Sequence, residues 1–178
     1  MSEQEYGPLR SRASRKPWPE CPDIVIHRCR HCARLYQDLG YEKPADKLTC
    51  CGSPMERLEA RNLENSPHEI SINYKIVGGF NQNAVQVLWN TGDNNPHPDW
   101  IMLKTFTGSY IKYLTDKKIQ PVVFPLSDED AYVYCGRHIC QQCIFRCKKG
   151  FVIYVYFNHG VLFEIPLENM DDYFKITK

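Results

Sequence analysis

The sequence predicts an α+β fold made mainly of antiparallel strands, with cysteine-rich turns and a few short helices. Three observations lead there. Several short segments alternate apolar and polar residues, as half-buried antiparallel strands do. Turn-rich links rich in Gly and Asn separate them, which is the pattern of hairpins. Nine cysteines occur in 178 residues, and four of them stand in two Cys-x-x-Cys turns.

Residues 1–20 read as a disordered basic tail. They carry Arg10, Arg12, Arg15 and Lys16, with Pro8, Pro17 and Pro19 and few core formers. Such a run suits a nuclear import signal or a phosphate-contacting arm, and equally a solvated tail. Residues 21–178 read as a single domain. Its length is enough to bury a core without help.

Along that domain, Asp23 to His27 is a short β-like run that enters the first knuckle, Cys29-Arg-His-Cys32. Ala33 to Leu39 reads as a short helix stopped by Gly40. Cys50 and Cys51 follow a polar loop. In Glu69 to Ile76, Ile70, Ile72, Tyr74 and Ile76 share one face and Glu69, Ser71, Asn73 and Lys75 the other. Val85, Val87 and Trp89 alternate again, so a hairpin joins the two segments. Trp100 to Leu114 has features of both a helix and strands, and Thr105, Thr107 and Gly108 tip it to two strands. Val122 to Phe124 is a further strand. Phe151 to Phe157 and Val161 to Ile165 flank Asn158-His-Gly160, a three-residue hairpin loop with Gly at its left-handed position. Asn169 to Phe174 reads as a short terminal helix.

The net charge of +1 sets up no field that would favour nucleic acid or a membrane surface. The first residues are polar and lack an apolar signal segment. The longest apolar run, Phe151 to Phe157, is far shorter than the ~20 residues a spanning helix needs. These features suit a soluble intracellular protein. Reducing compartments disfavour disulfides, and an odd cysteine count prevents complete internal pairing. Metal is the economical explanation for so many thiols.

Zinc takes four ligands at tetrahedral corners. The first knuckle, Cys29 and Cys32, can be completed from Cys50 and Cys51. Neighbouring residues on extended chain point to opposite sides, so one of that pair is expected to face the ion and His27 or His31 to fill the set. The second knuckle, Cys140 and Cys143, has Cys135, His138 and Cys147 nearby, five candidates for four places. A rival arrangement joins both knuckles around one ion. One or two zinc ions thus fit the spacing. Cys21 stands outside both groups and reads as a plain thiol. An excess of thiolates closes the coordination sphere, and no His-Glu-x-x-His or His-x-Glu pattern supplies a base, so the zinc reads as structural and the protein as no enzyme.

Other features read blandly. Asp128, Glu129 and Asp130 suit a solvated acidic turn. Arg146, Lys148 and Lys149 suit a solvated rim around Cys147, with phosphate contact as the sharper alternative. Tyr154, Tyr156, Phe157 and Phe163 suit a core rather than an RNA platform. His68, His97 and His159 fall in loops.

With these motifs in order, the chain resembles the adenovirus early-region-four thirty-four-kilodalton protein family. Arg10 to Lys16 is similar to that family's basic amino-terminal stretch. Cys29-Arg-His-Cys32 with Cys50-Cys-Gly-Ser-Pro54 is similar to its first cysteine block. Ile76-Val-Gly-Gly-Phe-Asn-Gln82, Tyr110 to Leu114, Val122-Val123, Tyr134-Cys-Gly136, Cys140-Gln-Gln-Cys143 and Cys147 follow in matching order. The resemblance implies an early regulatory adaptor of the host nucleus, also present in cytoplasm. It would act with a viral early-region-one-B partner to link host targets to a cullin–elongin ubiquitin ligase. By position it implies Cys29, Cys32, Cys50 or Cys51, Cys135, Cys140, Cys143 and Cys147 as zinc ligands. The chain lacks the family's Leu-x-x-x-Cys elongin box and its arginine-rich amphipathic helix. A zinc-stabilised nucleic-acid-binding protein, drawing on Arg10 to Lys16 and the Arg146 to Lys149 rim, is the alternative, and a metal hydrolase would need an open coordination position.

Overall fold

A computed structural model describes residues 23–39, 48–63, 70–77, 83–92, 97–115, 120–131, 148, 150–157 and 160–167. The basic tail, Cys21, the second cysteine block from Cys135 to Cys147 and the proposed terminal helix lie outside these residues. The described chain forms thirteen strands: β1 (Val25–Arg28), β2 (Leu35–Asp38), β3 (Thr49–Cys50), β4 (Ser53–Pro54), β5 (Glu56–Arg57), β6 (Arg61–Asn62), β7 (Ser71–Val77), β8 (Asn83–Asn90), β9 (Trp100–Lys104), β10 (Ser109–Tyr113), β11 (Val122–Leu126), β12 (Val152–Phe157) and β13 (Val161–Pro166). A 3-10 turn spans Asp128–Ala131. The α part of the expected α+β fold is therefore not found among the described residues. In particular Leu35–Asp38, expected in a helix, is a strand paired with β1. Four residues make barely one helical turn, whereas the neighbouring strand offers a complete ladder.

The strands make sheets in the orders β2-β1-β5, β10-β9-β12-β13-β6 and β11-β8-β7, with β3-β4 a small ribbon. Pairing is antiparallel except between β13 and β6, where Phe163 lies opposite Arg61. The two expected hairpins, β7–β8 and β12–β13, are present, and the two strands expected in Trp100 to Leu114 pair antiparallel as β9 and β10. In the β12–β13 hairpin, Phe157 pairs with Val161 and Gly160 takes φ +81°, a value open to glycine.

The five-stranded sheet is covered on both faces. One face sends Ile101, Leu103, Ile153, Val155, Phe157 and Phe163 against Ile72, Val85, Val87, Trp89, Val122 and Phe124 of the β11-β8-β7 sheet. The other face presents Trp100, Met102, Tyr154, Tyr156 and Leu162 to Ile26, Leu35 and Leu58 of the cysteine-bearing unit. Trp100 and Tyr156 stack with centroids 5.1 Å apart. Strands buried on both faces lose the in–out alternation, which explains the unbroken apolar runs at Trp100–Leu103 and Phe151–Phe157.

Two readings of charged residues are corrected here. Asp130 is buried, and its Oδ2 accepts a hydrogen bond from Thr107 Oγ1 at 2.6 Å. Lys148 is also buried and donates from Nζ to the Asp130 carbonyl at 2.9 Å. A buried charge needs such partners, so neither residue is part of a solvated rim or turn face.

Candidate metal centre

Two turns build the site. The first runs from the end of β1 through Cys29, Arg30, His31 and Cys32 to β2. The Cys29 amide donates to the Arg34 carbonyl at 2.9 Å and the Ala33 amide to the Cys29 carbonyl at 3.0 Å, which folds the knuckle back on itself. Ala33 reverses the chain with φ +58°. The second is the β3–β4 ribbon, where Cys50 pairs with Ser53 across Cys51 and Gly52. Both central residues have positive φ, +51° and +74°, the signature of a two-residue type I′ turn.

These turns bring the sulfurs of Cys29, Cys32, Cys50 and Cys51 within 4.8 Å of one another. Cys32 and Cys50 are 3.6 Å apart and Cys50 and Cys51 3.9 Å. Zinc–sulfur bonds of about 2.3 Å place the corners of a regular tetrahedron about 3.8 Å apart. The four cysteines therefore could hold one metal ion with no further ligand.

Both Cys50 and Cys51 join the group, contrary to the expectation that only one would. The rule of opposite faces applies to extended chain, and Cys51 sits in a left-handed turn instead. The dipeptide Cys51-Gly52 between strand-like residues carried that information, since it occupies the place that Asn-Gly takes in ordinary tight hairpins. Among the described residues neither His27 nor His31 belongs to the group. His27 lies beside Tyr36, with ring centroids 6.5 Å apart, and His31 is exposed. The candidates Cys135, His138, Cys140, Cys143 and Cys147, and the import candidates Arg10, Arg12, Arg15 and Lys16, lie outside the described residues. The first group closes on itself, so the first knuckle has no need of the second.

The thiols are strongly unequal. Backbone amides of Cys32, first, and of His31 bond to the Cys29 sulfur, and with the neighbouring thiols they outweigh burial, lowering its pKa to about 6. Cys50 is crowded by Cys32 and Cys29, and its pKa is raised to about 12. Cys51 is also raised, chiefly by Cys32. Sulfurs this close cannot all ionise alone, because like charges repel. A bound cation removes that conflict, since it binds thiolates and displaces their protons.

Access differs as well: Cys29 is buried, Cys50 half-buried, and Cys32 and Cys51 exposed. An exposed ion pair of Arg30 with Glu56 lies beside the knuckle. Behind it, Ile26 anchors β1 to the five-stranded sheet, so the site rides on a packed base.

No family model matches the chain, and no curated protein matches it. Among solved structures, the superoxide reductase from Treponema pallidum is similar at 12% identity, with a TM-score of 0.48, over 80% of this chain and 98% of that one. That likeness assigns no activity here.

Proposed function

We propose that this chain is a non-catalytic binding protein whose cysteine-bearing unit is fixed by a structural zinc ion on Cys29, Cys32, Cys50 and Cys51. The convergence of four sulfurs within 4.8 Å carries this reading. Four thiolates leave no open position for water or substrate, so the ion braces the turns instead of activating a reactant. The braced turns then present Cys32, Cys51 and the surrounding exposed side chains as a fixed surface for a partner. Of the roles implied by the early-region-four resemblance, the need for metal is the part that this geometry supports. The ligase partners, the nuclear site of action and the ubiquitin-adaptor role rest on the motif resemblance alone.

Metal analysis tests the proposal. Purified protein should carry zinc, and Cys29→Ser with Cys32→Ser should hold about one equivalent less, as one four-ligand site requires. Equal metal in both proteins would refute it. A second reading uses the same thiolates for iron, which four-sulfur sites also suit. The exposure of Cys32 and Cys51 favours it, since a redox partner could approach two of the sulfurs. Iron in place of zinc, with reversible one-electron reduction, would assign electron transfer to the site.

A further inference from the structure

We propose that this cysteine group is also an oxidation site, at which hydrogen peroxide joins Cys32 to Cys50 and expels the ion. The inference rests on the metal reading above and adds regulation to it. With all four sulfurs held as thiolates by the ion, access and a nearby resolving sulfur decide which of them is oxidised. Cys29 is buried, whereas Cys32 and Cys51 are exposed, so a dissolved oxidant meets these two first. Cys32 has a resolving partner in Cys50, whose sulfur is 3.6 Å away and 18 residues distant in sequence. The two stand on different turns, so no short backbone segment has to close on itself for the bond to form.

Two of the competing pairs are less suited, and fragmentation of the linked peptide separates the third, Cys32 with Cys51, from Cys32 with Cys50. Cys51 lies 3.9 Å from Cys50, but the two are consecutive. Consecutive Cα atoms are about 3.8 Å apart, shorter than the roughly 4.4–6.8 Å that disulfides span. Cys29 is shielded, and backbone amides of Cys32 and His31 hold its sulfur.

The chemistry balances with peroxide alone as oxidant. The Cys32 thiolate attacks one peroxide oxygen, the O–O bond breaks, hydroxide leaves and a sulfenic acid forms. The Cys50 thiolate attacks that sulfur, the S–O bond breaks and a second hydroxide leaves. Two electrons have passed from two thiolates to peroxide. Cys29 and Cys51 alone cannot complete a tetrahedron, and the ion departs. The base of the unit does not depend on these sulfurs, because Ile26, Leu35 and Leu58 remain against Trp100, Met102 and Tyr156. The oxidised chain therefore stays folded, and a dithiol with zinc restores it.

The sequence makes the test direct. Trypsin cuts after Arg28, Arg30, Arg34, Lys47 and Arg57, which separates Cys29 from Cys32 and places Cys50 with Cys51 on one peptide. Full-length zinc-loaded protein is treated with peroxide, released zinc is read with a chromogenic chelator, and peptides are mapped without reduction. The expected result is the His31–Arg34 peptide linked through Cys50 to Leu48–Arg57, with about one zinc released per link. Retention of alkylatable Cys32 after excess peroxide, or its conversion to sulfinic acid with no link, would overturn the proposal. The same link formed in protein that never held metal at these cysteines would sink the metal reading but support the oxidation site.

Discussion

Lys148 Nζ donates to the backbone carbonyl of Asp130 at 2.9 Å, and the two residues flank the second cysteine block on either side. The bond ties together the chain that enters the block and the chain that leaves it. Lys148 also lies over the Phe151 ring, 5.8 Å from its centroid. The Lys148→Met variant keeps the apolar stem and removes the donor, so the buried carbonyl loses a partner. We expect a loss of about 1–3 kcal/mol, measured by urea unfolding. An unchanged midpoint would show that the bond contributes nothing.

Ala33 offers a gain. Its φ of +58° is a left-handed conformation that costs an L-residue about 1–2 kcal/mol. Glycine adopts it freely but loses more freedom on folding. Ala33→Gly should stabilise the protein by up to about 1 kcal/mol, the reverse of the penalty for Ala at positive φ. It should also tighten metal binding, because the knuckle that holds the ion no longer carries that strain. A competition titration with a zinc chelator gives the direction, and weaker binding in the variant would contradict it.

Gly150 is the opposite case. It has φ +101°, and a Cβ there would stand 2.9 Å from Cε1 of Phe106. Phe106 packs edge-on against Phe151 at 5.0 Å, so its ring has little room to yield. Gly150→Ala combines backbone strain with a clash in a dense core and should cost about 2–4 kcal/mol. Thermal unfolding should show a clearly lowered midpoint. A shift within error would mean that the Phe106 ring moves aside freely.

Tyr154 predicts an alkaline limit to stability. Burial, then the charges of Glu164 and Asp23, push its pKa up to about 12. In the unfolded chain it ionises near 10. Between these values the folded form holds the proton more tightly, so its contribution is complete below pH ~10 and falls as pH rises toward ~12. The Tyr154→Phe variant should lose less stability than wild type over that window. Parallel decline of the two proteins would assign the alkaline limit to other groups.

Much of the strand arrangement was legible in single segments. The clean alternation of Ile70, Ile72, Tyr74 and Ile76 identified β7 because only one of its faces meets the core. Trp100 to Leu103 stayed ambiguous for the opposite reason, since both of its faces are covered and no polar residue marks a side. Leu35 to Asp38 is illegible as a strand in the sequence because four residues give too short a window for period alone, and the partner that decides the matter is β1. At the site, Cys29 and Cys32 were legible from spacing. The joint use of Cys50 and Cys51 was not, because it depends on the φ of Cys51, which the Cys51-Gly52 turn fixes. The burial of Asp130 and Lys148 depends on a contact across the second cysteine block, which local composition does not express.

The most direct measurement replaces the ion with NMR-active cadmium and correlates each cadmium resonance with the cysteine β protons coupled to it. One resonance should couple to the β protons of all four residues Cys29, Cys32, Cys50 and Cys51, and to no others. A resonance joining Cys29 and Cys32 to Cys140 and Cys143, or one lacking Cys51, would contradict the closed four-thiolate centre.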